Sequence, residues 1–262
     1  MFLSSKNFVT LELIINSPLE QFEIKNLIGF NAPVFGYFNF NITNLALYTI
    51  IILALIIAFH FFANNENKIV PNKWSIALES IFASINSMVR EQLGKEAYLP
   101  FIYSLFTFIL VANLFGSVPY GFTITTSAIV ALGLSITIWI GVTILGLTTH
   151  NAKFFSFFIP SGCPLALVPL LVLIELVSYM ARAGSLGLRL FSNLLGGHTL
   201  MKILATFLYK LFGSSLLIAI LTVIPFALFL GIMLLELAVA FIQAFVFVIL
   251  VSSYIKDALE LH

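Results

Sequence analysis

The chain has 262 residues, of which 61% are hydrophobic and only 9% are charged. Its 12 basic and 11 acidic residues nearly cancel, which argues against a nucleic-acid partner. The single cysteine, Cys163, excludes an intrachain disulfide and a cysteine-built metal site. Several apolar runs reach the roughly 20 residues that a membrane-spanning helix needs. The composition therefore predicts one membrane-embedded domain over residues 1–262, and we expect no metal and no cofactor.

The first membrane helix is predicted at residues 45–62, after an N-terminal segment. Residues 1–44 include a stretch rich in proline, glycine and asparagine, and we expect this part to be extended or short-helical at the membrane surface. Residues 1–18 lack the continuous apolar core and small-residue cleavage site of a secretory signal. Asn44 stands where the N-cap of the first membrane helix is expected.

Residues 73–93 differ from the other helical stretches because apolar residues recur at helical spacing among polar ones. This pattern predicts an amphipathic helix that lies in the membrane interface and packs against the other helices. Residues 98–149 then predict a hairpin of two membrane helices. Asn113 lies inside the first of these two, where it either hydrogen-bonds a neighbouring helix or lines an aqueous path.

The last region, residues 165–258, is predicted to form two overlong helices. At about 1.5 Å per residue, each exceeds the roughly 30 Å hydrocarbon thickness of a bilayer, so each is either steeply tilted or broken. The pair Gly196 and Gly197 is the candidate break in the first helix, and Pro225 permits a kink in the second. The fold class is thus all-α and polytopic, with about five membrane helices, one interfacial helix and a final tilted, near-horizontal hairpin.

A polar seam runs along the otherwise apolar stretch 175–198. Because each residue of a helix advances by about 100°, residues seven apart share one face. His198 projects from nearly the opposite side, and Glu236 and Gln243 form a similar pair in the last helix. Ionisable groups at membrane depth usually face protein or a water-filled path, which makes this seam the candidate site. The residues of the seam are Glu175, Arg182, Arg189 and Asn193.

These residue types suit the movement of protons. Glutamate and histidine exchange protons within or near the working pH range, whereas an arginine guanidinium keeps its proton. The fixed charge of Arg189 repels protons and attracts an anionic partner. We therefore expect Glu175, His198 and Glu236 to conduct protons along two separated half-paths, with Arg189 as the barrier between them.

Simpler interpretations also fit the same residues. Arg189 has no acid three or four residues away in its own helix, so it requires a counter-charge from elsewhere. The chain lacks phosphate-loop, nucleophile-elbow and zinc-protease motifs, so we expect no catalytic chemistry of its own. The alternatives are a structural ion pair between Glu175 and Arg182, a core role for His198, and pairing of Glu236 with Lys202 or His198.

Six stretches of the sequence closely resemble the subunit a family of F-type ATP synthases, above all its mitochondrial members. The segments SLGLRLFSNLLGGH and LLELAVAFIQAFVF carry the resemblance most specifically. NLFGSVPYGF, PLALVPLLVLIE and YIKDALELH also match, so the similarity covers nearly the whole chain. The early segment SPLEQFEIKNLIG is typical of fungal members.

The resemblance implies a proton-translocating stator subunit that couples proton flow to rotation and ATP synthesis without being catalytic itself. It implies a multi-pass protein of the mitochondrial inner membrane. The implied partners are the c-subunit ring, other membrane-sector and peripheral-stalk subunits, protons and lipid.

The resemblance also implies roles for individual residues. Arg189 is the essential arginine that faces a carboxylate of the c-subunit ring. His198 and Glu236, with Asn113 as a further member, belong to the half-channel of the intermembrane space. The remaining implied residues are Glu175 and Asp257 on the matrix side, and Asn193 and Gln243 as polar neighbours of the arginine.

Two other classes of protein are alternatives to this interpretation. A stand-alone proton-coupled transporter, or a proton-pumping subunit of a respiratory complex, often shows inverted repeats and charges spread over several helices. Here the charges concentrate in the last two helices, and no internal repeat is visible. A purely structural membrane anchor would not need Arg189 within an apolar helix.

Overall fold

The structure, a computed structural model, describes residues 19–34, 38–63, 71–118, 121–159, 167–213 and 216–260. The predicted absence of a secretory signal concerns residues 1–18, which lie outside this set. The described part of the N-terminal segment starts with a 3₁₀ turn at Glu20–Phe22. An antiparallel hairpin follows, with strand β1 at Asn26–Val34 and strand β2 at Phe38–Thr43. The described part of this segment is therefore mostly extended, with one short helical turn at its start.

The rest of the described chain is helical. Five helices are long and apolar enough to cross a membrane, which confirms the predicted all-α polytopic fold. A helix also forms at residues 73–93, where the amphipathic helix is predicted, and one short helix precedes the last long one. The helices are α1 Asn44–Ala63, α2 Lys73–Leu93, α3 Leu99–Gly116, α4 Ala128–His150, α5 Val168–Phe212, α6 Leu216–Leu221 and α7 Val223–Leu259.

The start of α1 differs from the expected N-cap. The Thr43 hydroxyl accepts a hydrogen bond from the Ala46 N–H at 3.3 Å, which is the contact that a capping side chain makes. The Asn44 side chain instead accepts from the Leu45 N–H at 2.9 Å and bonds the N-terminal segment. The expected N-cap role of Asn44 therefore belongs to Thr43, and Asn44 joins two parts of the chain.

Helix α2 is capped at both ends and buries its apolar face against α7. The Asn72 side chain accepts from the Lys73 N–H at 2.8 Å, and Gly94 ends the helix with φ of 63°, a left-handed conformation that favours glycine. Met88 and Val89 are buried on the apolar face. The Ser252 hydroxyl lies 3.8 Å from the Met88 sulfur, so this face packs against α7.

The core of the molecule forms where α3, α4, α5 and α7 meet. Gly187 on α5 lies so close to α4 that an added Cβ would be 2.8 Å from the Ala131 carbonyl oxygen. At the same crossing the Ser135 hydroxyl donates to the Ala183 carbonyl. Small residues thus bring α4 and α5 into backbone contact, which positions the polar face of α5 toward α7.

The two overlong helices are confirmed, but their details differ from the expectation. Helix α5 has 45 residues and continues without interruption through Gly196 and Gly197, so the proposed break at that pair is wrong. Helix α7 has 37 residues and contains Pro225 in its first turn, where the missing N–H costs no hydrogen bond. At about 1.5 Å per residue both exceed the bilayer thickness, so tilting is the alternative that remains.

Candidate functional site

Helices α5 and α7 run antiparallel, and polar pairs join them at three levels. Arg182 pairs with Asp257 near one end, and the amide N–H of Asn193 donates to the Gln243 side-chain oxygen at 2.8 Å in the middle. His198 contacts Glu236 at the third level. The predicted polar residues of the last two helices, except Arg189, are therefore brought together along one interface.

The histidine cluster consists of Thr123, His198 and Glu236. The His198 Nδ1 atom lies 3.3 Å from Glu236 Oε1, an ion-pair distance, and His198 Nε2 lies 3.1 Å from the Thr123 hydroxyl. The side chains of His198 and Glu236 are only 10% and 6% exposed. Of the two partners considered for Glu236, the structure selects His198 rather than Lys202.

The Thr123 hydroxyl restricts where protons sit in this cluster. It lies 3.3 Å from the Gly116 carbonyl, and a hydroxyl that donates its single hydrogen there accepts a hydrogen bond from His198 Nε2–H. His198 Nδ1 faces the Glu236 carboxyl at 3.3 Å. A proton bound at either of these two facing atoms therefore stands next to the other group.

The acidic cluster consists of Glu175, Arg182 and Asp257. The Arg182 guanidinium contacts Asp257 at 2.9 Å and Glu175 at 3.8 Å, and it lies 5.8 Å from the ring centre of Tyr254. The ion pair between Glu175 and Arg182 that the seam suggested is present, but the shorter contact is to Asp257 on α7. All three side chains remain partly exposed, so the described chain does not enclose this cluster at its edge.

A cavity of about 20 Å³ adjoins the acidic cluster, and this volume is large enough for one water molecule. Its lining includes Trp139, Arg182, Tyr254 and Asp257. The buried indole N–H of Trp139 has no hydrogen-bond partner among the residues that the structure describes. A buried indole N–H usually finds a partner, and the cavity beside Trp139 has room for one water molecule.

Arg189 lies between the two clusters and is exposed on the surface of α5. In the described part of the chain, no carboxylate lies within 4.0 Å of its guanidinium. The stretch of α7 that passes this level, residues 244–256, contains no acidic residue. Along the helix, Arg189 is about 21 Å from Glu175 and about 13 Å from His198. Arg189 therefore has no counter-charge within ion-pair distance among the residues that the structure describes.

Asn113 is fully buried and hydrogen-bonded to two neighbouring segments. Its amide N–H donates to the Ala240 carbonyl of α7 at 3.2 Å, and its side-chain oxygen accepts from the Thr125 hydroxyl at 3.0 Å. Of the two roles left open for Asn113, these contacts favour the link between helices. Thr123 is the site residue that sequence reasoning missed, because a threonine in a short loop has no spacing or charge that distinguishes it.

The comparisons with known proteins show the family of the chain. A family model described as ATP synthase A chain matches residues 46–256. ATP synthase subunit a of Mycosarcoma maydis is 60% identical over 254 residues, which cover 96% of this chain and 100% of the relative. The proteins of the same name from Emericella nidulans and Neurospora crassa are 53% and 47% identical, covering 95% and 99% of this chain and 98% and 100% of the relatives. The chain therefore belongs to the ATP synthase A chain family, as subunit a of an F-type enzyme.

Proposed function

We propose that this chain translocates protons through two offset half-channels that meet a ring of c subunits, with Arg189 as the barrier between them. Its family is that of the proton-translocating stator subunit in the membrane sector of ATP synthase. One observation carries the half-channel proposal. Arg189 is exposed and has no acidic partner in the described chain, while titratable clusters lie on both sides of it along α5.

The histidine cluster is the proposed uptake side. A proton held between His198 and Glu236 passes to a carboxylate of the c ring that Arg189 keeps ionised. The neutral carboxyl then turns into lipid, because an uncharged group costs far less to move into an apolar medium. Each charge that crosses the membrane gains about 2.3 kcal/mol per 100 mV.

The acidic cluster is the proposed release side. After nearly a full turn of the ring, the carboxyl meets Glu175 and Asp257 and loses its proton toward the matrix. Arg182 contacts both acids and holds them together at the edge of the cluster. The partial exposure of this cluster and the adjoining cavity support an aqueous connection there.

The hydrogen-bonded pair of Asn193 and Gln243 is the proposed spacer between the barrier and the uptake side. It lies one helical turn from Arg189 and fixes the separation of α5 and α7 at that level. Asn113 ties α3 to α7 behind the histidine cluster. Its proposed role in the path is to hold the cluster in place.

The same proposal includes the partners and the cellular location of the chain. Its partners are other subunits of ATP synthase, and we place among them the c ring, further membrane-sector subunits and the peripheral stalk. The proposed location is the mitochondrial inner membrane, which the fungal relatives and the five candidate membrane helices support. The chain itself contributes proton conduction and no catalytic residue, and residues 1–262 act as one membrane domain.

The test is proton flux in membrane vesicles that contain the assembled complex with Arg189→Ala. The expected result is loss of ATP-driven proton pumping together with a raised passive leak. Arg90→Ala is the matched control, because Arg90 is exposed on α2 and pairs with Glu96 at 2.5 Å, away from both clusters. Normal coupled pumping in Arg189→Ala would mean that the arginine is only structural, and the half-channel proposal would be withdrawn.

A further inference from the structure

The N-terminal 3₁₀ turn lies against the histidine cluster. The ring centre of Phe22 is 6.2 Å from that of His198, with an angle of 58° between the two ring planes. Phe22 is itself only partly buried, so the turn occupies the border between the cluster and the surroundings. The contact joins the described beginning of the chain to a proposed proton carrier on α5.

The position of this turn is fixed by Asn44 at the start of α1. The Asn44 N–H donates to the Lys25 carbonyl at 3.0 Å, and the Lys25 N–H donates to the Asn44 side-chain oxygen at 3.2 Å. The Asn44 amide N–H donates to the Glu23 carbonyl at 3.0 Å. Three hydrogen bonds from one residue thus hold the segment that carries Phe22 beside the first membrane helix.

His198 is enclosed on several sides, and Phe22 forms one of them. Glu236 faces the Nδ1 atom and Thr123 faces the Nε2 atom, while the phenyl ring packs against the imidazole itself. Only 10% of the His198 side chain is exposed. The N-terminal turn is therefore part of what encloses His198.

The N-terminal segment that carries Phe22 also carries charged groups. It contains the carboxylates of Glu20 and Glu23 and the ammonium group of Lys25, with Lys25 Nζ at 4.0 Å and 3.4 Å from the two acids. These three groups carry one net negative charge, and a negative charge beside a path raises the local concentration of cations, including protons. On α5 the charged residue nearest to His198 along the chain is Lys202, and on α7 Glu236 faces His198.

We infer that the turn Glu20–Phe22 forms the outer wall of the proton-uptake path, with Phe22 as a positioning residue for His198. This inference rests on the proposed function. The phenyl ring holds the imidazole in the orientation that faces both Thr123 and Glu236, and it limits the access of water to the pair. A proton thus enters along a defined side of the imidazole.

The test places a charge at position 22 in the assembled complex. In a Cys163→Ser background, Phe22→Cys is labelled with thiosulfonate reagents of equal size that carry either an ammonium or a sulfonate group. The ammonium label is expected to lower proton-driven ATP synthesis about tenfold, because a fixed positive charge a few ångströms from His198 repels protons. The sulfonate label, which attracts protons, is expected to lower the rate by less than about twofold.

Phe59→Cys in the same background is the matched control. Phe59 packs edge-on against His60 with ring centres 6.0 Å apart, and His60 bonds Tyr103 and Ile56, outside both clusters. Both labels at position 59 are expected to leave the rate unchanged. Equal effects of the two labels at position 22, or none at complete labelling, would overturn the inference.

A second variant covers the case in which Phe22→Cys does not assemble. Phe22→Leu keeps an apolar side chain but removes the ring, and it is expected to change the pH profile of ATP-driven pumping while Phe59→Leu leaves it unchanged. An unchanged profile in Phe22→Leu contradicts the inference. If the pH profile of Phe22→Leu is unchanged while Arg189→Ala still uncouples proton pumping, only the role of Phe22 is withdrawn. The proposed half-channels are not affected by that result.

Discussion

Gly197 lies directly against the carboxyl group of Glu236. A Cβ added at Gly197 would be 2.7 Å from Glu236 Oε1, closer than a carbon and an oxygen atom normally approach. The absence of a side chain at position 197 therefore gives the carboxyl its place beside His198. The neighbouring Gly196 has open space where its Cβ would be.

We expect Gly197→Ala to displace the Glu236 carboxyl from His198 while the helix remains intact, since alanine favours helix. Extra volume in a packed site typically costs about 1–3 kcal/mol. Proton pumping per assembled complex is predicted to fall several-fold. Gly196→Ala, one residue away on an open face, is the control and is expected to keep normal pumping. Equal pumping in the two variants would show that the close approach has no functional consequence.

The hydroxyl of Thr123 provides a second prediction. Thr123→Val keeps the shape of the side chain but removes the hydrogen-bond partner of His198 Nε2, and an unpaired buried polar group costs about 1–3 kcal/mol. ATP-driven pumping is expected to fall about tenfold or more. Thr123→Ser retains the hydroxyl and should restore most of the rate. Comparable losses in both variants would instead indicate a packing role for the threonine methyl group.

Arg182 contacts two acids at different distances, so we expect its interaction free energies with the two acids to differ. In double-mutant cycles with Arg182→Gln, Asp257→Asn should show the larger coupling because its contact is 2.9 Å against 3.8 Å for Glu175. Partly exposed pairs contribute about 0–1 kcal/mol, so the difference will be small. Thermal dissociation of the complex measures it. A larger coupling to Glu175 would mean that the guanidinium sits nearer α5 than the structure places it.

Asn113 should affect assembly more than conduction. Asn113→Ala removes two buried hydrogen bonds, each worth about 0.5–1.5 kcal/mol, and leaves the Ala240 carbonyl and the Thr125 hydroxyl without that partner. The amount of assembled subunit is expected to fall, while pumping normalised to assembled complex stays near normal. The reverse pattern, normal assembly with slow pumping, would place Asn113 in the aqueous path instead.

The membrane helices and the polar seam could be predicted from the sequence because both depend on local patterns. Spanning length follows from about 20 apolar residues in a row, and a shared helix face follows from the seven-residue spacing of Glu175, Arg182 and Arg189. The lack of a local ion pair for Arg189 could likewise be predicted from the sequence, since no acid lies within one helical turn of it. The resemblance then implied the site residues of both helices together.

The contacts within the site could not be read from any spacing. Arg182 and Asp257 are 75 residues apart, as are Thr123 and His198, and each pair meets only because α5 packs against α7 and against the loop after α3. The continuity of α5 through Gly196 and Gly197 was also decided by packing, because Glu236 occupies the space that Gly197 leaves. Local sequence thus determined which residues are polar inside the membrane, whereas the tertiary structure decided which of them are partners, since partner choice depends on how distant helices pack.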